Sequence, residues 1–322
     1  MLDKSVGYNQ QDKMAKRMLQ IQEILVPLDG STEAESVLPY IRDLAPKFGS
    51  RVHILGVGIG RKTRRVNRLI EDYVNRTANK LQSDNIKAEP VIRYGVAADK
   101  ILDFTAEKEI GLIVMATHGR SGINRWWMGS VAEKVISEAT APVLLVRSRR
   151  PRATAAAEKL NFPHKILAPL DGSDIGESAL PYAEAIAKNS RASVSLLQVI
   201  SPPGTVEANL LGGPDWRKFV KAMHDAGEDY LKGVAERLSG KDIKVTYEVA
   251  TGDPADKIVE YAADKGAGLI AMSTHGRTGI ARWVLGSVAD KALHGARIPI
   301  LLVRSPKMVA ANDEVKIRES TS

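Results

Sequence analysis

The chain contains no cysteine, so it has neither a disulfide framework nor a thiolate zinc site. Phe, Trp and Tyr make up 5% of it, and none interleaves with the basic residues at 61–68 as the stacking platforms for single-stranded nucleic acid require. No run of about 18 apolar residues occurs, so no membrane insertion is expected. The first twenty residues, MLDKSVGYNQQDKMAKRMLQ, lack the apolar centre of a secretion signal; the expected location is cytoplasmic. Several catalytic motifs are also missing. There is no G-x-x-x-x-G-K-[ST] phosphate loop, no G-x-S-x-G nucleophile elbow and no H-E-x-x-H. GVGIG at 56–60 resembles a dinucleotide fingerprint, but Arg61 stands where its last glycine belongs.

What is present is said twice. Residues 24–36 read ILVPLDGSTEAES and residues 166–178 read ILAPLDGSDIGES. Residues 113–130 read IVMATHGRSGINRWWMGS and residues 270–287 read IAMSTHGRTGIARWVLGS. Both copies share T-H-G, nine residues, then G-S. The 322 residues, 44% of them hydrophobic, suffice for two domains with cores of their own. The expected division is an arm over 1–20, a first domain over 21–148, a linker over 149–162, a second domain over 163–306 and a polar tail over 307–322.

The net charge of +8 is uneven. Residues 21–150 hold 20 basic and 15 acidic residues, a net of +5, and residues 163–306 hold 17 of each. RKTRRVNR at 61–68 supplies much of the excess. A patch for nucleic acid or anionic lipid is one reading. Without aromatics among those cations, a solvated helix start is the favoured one, and a nucleic-acid partner is not expected.

Within the first copy the pattern predicts a strand at Ile24–Leu28, a helix from an N-cap at Ser31 to about Phe48, and a strand at Val52–Val57. A basic helix to about Gln82, a strand at Lys87–Tyr94 and a helix over Ala97–Glu109 follow. The last elements are a very apolar strand at Leu112–Ala116, a helix over Ser130–Ala139 and a strand at Val143–Arg147. Strands alternating with helices predict a parallel sheet covered on both faces. Pro27 and Pro169 lie inside the first strand of each copy, so that strand is expected to end or bend there. Asp29 to Asp171 is 142 residues, whereas Gly95 to Gly252 is 157. The second copy therefore carries 15 extra residues, around SPPGTVEANLLGGPDW, as an extended loop: a lid over a ligand or a tolerated insertion.

In such a sheet, ligands sit at the carboxyl ends of strands where the strand order reverses. If the first and fourth strands are neighbours, Asp29 meets the Gly119 loop, and Asp171 meets the Gly276 loop. Gly129-Ser130 opens a helix whose free N–H groups favour an anion. The Ser130 hydroxyl is suited to a phosphate oxygen or a magnesium ion, Arg120 and Arg125 to phosphate charge, and Asp29 to a ribose hydroxyl or an adenine amine. His118 and His275 have no carboxylate or second histidine nearby in sequence, which favours an orienting role over metal binding or catalysis. Trp126, Trp127 and Trp283 read as packing residues.

Together these segments resemble the universal stress protein family in its tandem form, over 21–148 and 163–306. ILVPLDGS and ILAPLDGS, GVAADKI and GDPADKI, and the closing strands APVLLVRS and IPILLVRS carry the likeness. The nucleotide-binding branch of that family has G-x-x-G-x9-G-[ST]. This chain keeps Gly119, Gly129 and Ser130, and Gly276, Gly286 and Ser287, and departs from the first glycine at Ala116 and Ser273.

The resemblance implies two tandem α/β Rossmann-like domains of the adenine nucleotide alpha hydrolase-like kind, each a five-stranded parallel sheet with helices on both faces. It implies ATP, with Mg²⁺, as the bound adenine nucleotide. Asp29 and Asp171 would contact adenosine, and the backbone at Val57 and Val199 would meet adenine. The phosphate loops would run through His118, Gly119, Arg120, Gly129, Ser130 and Val131, and through His275, Gly276, Arg277, Gly286, Ser287 and Val288. The family pairs its last strands across a dimer; here Val143–Arg147 and Ile300–Arg304 are expected to pair within one chain, which leaves a further homodimer open. The expected role is a stress-response regulator. A nucleotide-free dimerisation or scaffold module stays open, as does a weak ATPase or self-phosphorylation at Ser130 or Ser287. No residue stands out as a general base for efficient catalysis.

Overall fold

The computed structural model describes residues 21–58, 64–117, 128–147, 160, 162–201, 215–276 and 285–305. The chain divides into two compact units, 1–162 and 163–322.

Unit 1 begins with β1 (Glu23–Pro27), whose three central residues are fully buried. Helices α1 (Thr32–Glu35) and α2 (Leu38–Phe48) follow, then β2 (Arg51–Gly58), α3 (Arg64–Ser83), β3 (Lys87–Tyr94), α4 (Ala97–Glu107), β4 (Leu112–Ala116), α5 (Ser130–Glu138) and β5 (Val143–Val146). The strand order is β3-β2-β1-β4-β5, and β2–β3, β1–β2, β1–β4 and β4–β5 all pair in parallel. Every residue of β4 and β5 is buried, as expected for strands covered on both faces. Helix α3 is polar but turns Val74, Ala78 and Leu81 inward at helical spacing. Burying such a side chain contributes roughly 1–3 kcal/mol.

Unit 2 repeats the plan. Its elements are β6 (Lys165–Leu170), a 3₁₀ turn (Gly176–Ala179), α6 (Leu180–Ser190), β7 (Ser193–Ile200), α7 (Asp215–Ser239), β8 (Val245–Thr251), α8 (Pro254–Asp264), β9 (Leu269–Ser273), α9 (Ser287–Gly295) and β10 (Ile300–Val303). The strand order is β10-β9-β6-β7-β8, again parallel. The extra loop of this copy lies largely outside the described residues, as do the 1–20 arm, the tail and residues 61–63 of the basic cluster.

Two expectations need correction. The single helix over 31–48 is split, because Pro39 has no N–H to donate to the carbonyl of Glu35. Ser31 does cap the first piece, its Oγ accepting from Ala34 N at 3.1 Å. Pro181 divides the matching segment of unit 2.

The strand prolines behave differently from each other. β1 ends at Pro27, whereas β6 continues through Pro169 to Leu170. Both are tolerated for one reason. The ladder between β1 and β4 runs only from Ile24 to Leu25, and that between β6 and β9 only from Ile166 to Leu167. Leu28 N donates to Leu55 O across the β2 side, so strand alternation turns the proline nitrogen toward the β4 side. The ladder there has already ended, and no donor is needed. The prolines mark where the central strands part.

Candidate functional site

That parting opens a cavity in unit 2 of about 400 Å³. It lies at the carboxyl ends of β6, β7 and β9, where the strand order reverses, the position that ligands take in open α/β sheets. Its lining includes Asp171, Val199, Ser273, His275, Gly276, Gly286, Ser287 and Val288. Eight of the nine unit 2 residues singled out from sequence thus converge there; Arg277, the ninth, lies outside the described residues. In unit 1, Asp29 follows β1, Val57 lies near the end of β2, Ala116 ends β4, and Gly129, Ser130 and Val131 open α5. His118, Gly119 and Arg120 lie outside the described residues, as do Arg125 and the three tryptophans.

The ends of the glycine loops are fastened in the same way in both units. Gly129 N donates to Thr117 O at 3.0 Å, and Gly286 N donates to Thr274 O at 2.9 Å. This bond closes the base of the loop and sets the start of the following helix. Gly129 and Gly286 are the N-caps, and neither helix has a side-chain cap. The leading N–H groups are therefore left for an external acceptor. Ser130 and Ser287, the first helical residues, are exposed. The glycines are not equally demanding. A Cβ on Gly286 would stand 2.9 Å from Thr274 O, whereas one on Gly129 would stand 3.5 Å from Thr117 O, an ordinary contact.

Ala116 and Ser273, in place of the first glycine, are buried ends of β4 and β9. Ser273 Oγ accepts from His275 N at 3.4 Å. His275 Nδ1 lies 3.0 Å from Thr274 Oγ1, an orienting contact. The aspartates that follow β1 and β6 form matching turns. Asp29 Oδ1 accepts from Ser31 N and Oγ at 2.9 and 2.6 Å. Asp171 Oδ1 accepts from Ser173 N and Oγ at 3.0 and 2.7 Å. These bonds fix the carboxylate, and in unit 2 Asp171 lines the cavity.

Sequence reading missed part of the wall. Pro254 and Ile258 of α8 and Met272 of β9 line the cavity. The repeated ADKI segment, which opens α4 and α8, was the available signal. It also missed a tyrosine–glutamate pair beside each aspartate. Tyr230 Oη donates to Glu177 Oε1 at 2.8 Å. Burial, and then Glu177, push this phenol well above the usual tyrosine range. Tyr73 is shifted the same way by burial and Glu35.

Residues 20–147 and 163–304 match the family model described as the universal stress protein family. The chain belongs to that family. A universal stress protein of Methanocaldococcus jannaschii is 36% identical over 147 residues, 46% of this chain and 85% of the relative. A universal stress protein of Mycobacterium tuberculosis is 29% identical over 220 residues, 68% of this chain and 69% of the relative. The solved structure of a universal stress protein from Archaeoglobus fulgidus, 21% identical, aligns with a TM-score of 0.66 over 89% of this chain and 97% of that one; the likeness is one of fold. Among the described residues of this universal stress protein, no group of three His, Asp or Glu side chains is placed to hold a metal ion. No helix among them is long and apolar enough to cross a membrane.

Proposed function

We propose that this universal stress protein binds ATP with Mg²⁺ at one site in each unit and acts as a stress-response regulator. The observation that carries the reading is the unit 2 cavity, which brings together a fixed carboxylate, an apolar wall and an uncapped helix N-terminus. A nucleotide needs those three things. Asp171 accepts from the adenosine part. Val199, Met272 and Ile258 offer apolar surface to the base. The α9 N-terminus and Ser287 take the phosphates, and Mg²⁺ is held chiefly by phosphate oxygens, in keeping with its preference for few protein ligands. Asp29, Val57, Ser130 and the α5 N-terminus repeat the scheme in unit 1. Nucleotide binding alters a surface that a partner reads.

The test is calorimetric titration of Mg²⁺-ATP into the full chain and into Ser130→Glu with Ser287→Glu. Glutamate suits the first turn of a helix, so the variant should fold, while its carboxylate takes the phosphate position. Saturable heat in the parent and none in the variant is the expected result. Equal binding by both removes the phosphates from the helix N-termini. Absence of heat in a folded parent at millimolar ATP leaves the nucleotide-free scaffold as the better reading.

A further inference from the structure

We infer that the two sites are unequal, that unit 2 holds the pre-ordered one, and that Gly176 and Glu177 set the difference. The inference rests on the nucleotide reading above. Its starting point is the seat of Asp171. The Oδ1 atom occupies space that a Cβ on Gly176 would need, and Oδ2 lies 2.5 Å from the Cβ position that Gly276 lacks. The carboxylate is therefore sunk between two glycine Cα atoms and half-buried. A methyl group on Gly176 would drive it out of that seat.

Unit 1 carries that methyl group. Counting 142 residues back from Gly176 gives Ala34, which is 7% exposed. Ala34 N donates to Ser31 Oγ just as Gly176 N donates to Ser173 Oγ. The turns are otherwise matched, yet Asp29 is exposed where Asp171 is half-buried. The backbone follows: residues 32–35 form a short α-helix, whereas the 3₁₀ turn of unit 2 begins only at Gly176.

A second set of contacts points the same way. In unit 2 the turn is tied to α7 through Glu177. Tyr230 Oη donates to one carboxylate oxygen at 2.8 Å, and Arg237 Nη2 to the other at 2.7 Å. In unit 1 the matching residues are Glu35, Tyr73 and Lys80. The Tyr73 hydroxyl is buried beside Glu35 without a hydrogen bond of normal geometry. A turn already ordered by its own protein does not have to be ordered by the ligand, so affinity rises without any new ligand contact.

Unit 2 thus fills first and unit 1 second, giving the chain two response thresholds to one nucleotide. Titration of the full chain with Mg²⁺-ATP should show two events about tenfold apart. The tighter event should persist in Ser130→Glu and vanish in Ser287→Glu. Gly176→Ala in the Ser130→Glu background should weaken binding about tenfold. Tyr230→Phe, which adds no atoms near the site, should weaken it severalfold and serves if the alanine disturbs folding. Two events of equal affinity, a tighter event that disappears with Ser130→Glu, or indifference of unit 2 to both Gly176→Ala and Tyr230→Phe would overturn the inference and leave ATP binding standing. A folded parent chain that binds no ATP would remove both.

Discussion

Arg42 Nε lies 2.7 Å from Asp84 Oδ2 in unit 1, and the residues at the same places in unit 2, Glu184 and Lys241, stand 2.8 Å apart. The signs are exchanged and the link is kept. Each pair ties the first long helix of its unit to the end of the helix that follows the second strand. A second exchange involves volume. Gly56 on β2 faces Ile70 and Val74 of α3, whereas the matching Gln198 on β7 faces Gly227 of α7, with its Oε1 2.9 Å from the missing Cβ. A large residue on the helix meets a small one on the strand in unit 1, and the reverse holds in unit 2. The left-handed cap after the first long helix differs too: Gly49 at φ +64° in unit 1, Arg191 at φ 53° in unit 2. His53 beside Glu89 at 3.8 Å in unit 1 gives way to Ser195 with Thr246 at 2.9 Å. The fold thus constrains the summed volume and the opposed charge at a contact, and leaves open which side supplies each part.

The volume exchange should break most severely. Gly56→Gln puts a side chain where a Cβ already stands 2.6 Å from Val74 Cγ2 and 2.7 Å from Ile70 Cγ2. The expected loss is about 3 kcal/mol, read by guanidinium denaturation, with hydrogen exchange placing the weakening in β2 and α3. Adding Ile70→Gly should recover part of it, less about 1 kcal/mol for a glycine within a helix. A single variant as stable as the parent would mean that α3 moves freely over the sheet, and the volume comparison would fail.

The cap comparison is milder. Arg191 holds a left-handed backbone that disfavours a Cβ by about 1 kcal/mol, so Arg191→Gly should raise unit 2 stability by up to that amount. Gly49→Ala should lower unit 1 stability by a similar amount, although its Cβ would meet nothing within 4 Å. Calorimetric midpoints moving in opposite directions are the check, and movement in the same direction would discredit the backbone account.

The charge exchange is the smallest effect. Arg42→Glu should cost about 0.5 kcal/mol, and Arg42→Glu with Asp84→Lys, the unit 2 arrangement, should restore it. Both differences should shrink in high salt. Glu184 adds a pH arm. Burial raises its carboxyl, but Lys241 and Lys188 outweigh this and hold it below the usual range. A depressed carboxyl stabilises the fold above its unfolded value and ceases to do so as pH falls through the folded one. Unit 2 should therefore lose this contribution below about pH 4.3. Glu184→Gln should remove that part of the acid dependence, and an unaltered acid titration would sink the assignment.

Much of the architecture was legible because it is written in local pattern. β3 and β4 fall at Lys87–Tyr94 and Leu112–Ala116, where β-branched and apolar runs end at turn residues. Gly129 and Gly286 cap the helices expected of them. The split at Pro39 was legible in principle, since the missing N–H is a property of proline alone. The tolerance of Pro27 and Pro169 was not, because it depends on how far the neighbouring ladder runs. Pro254 and Ile258 went unplaced because their local pattern is that of any amphipathic helix, and only the strand order puts the start of α8 beside Asp171.

By itself the sequence determined the elements, their repetition and the residue types offered to a ligand, since helix, strand and cap preferences act over a few neighbours. The tertiary structure alone decided that β6 lies between β7 and β9. That choice brings Asp171 and Gly286 to one cavity across more than a hundred residues of chain. It also decided that Ala34 and Gly176 give their aspartates different seats. A loop of that length closes only because both strands bury apolar faces in a shared core, and a clash between a Cβ and a carboxylate exists only once the turn has closed.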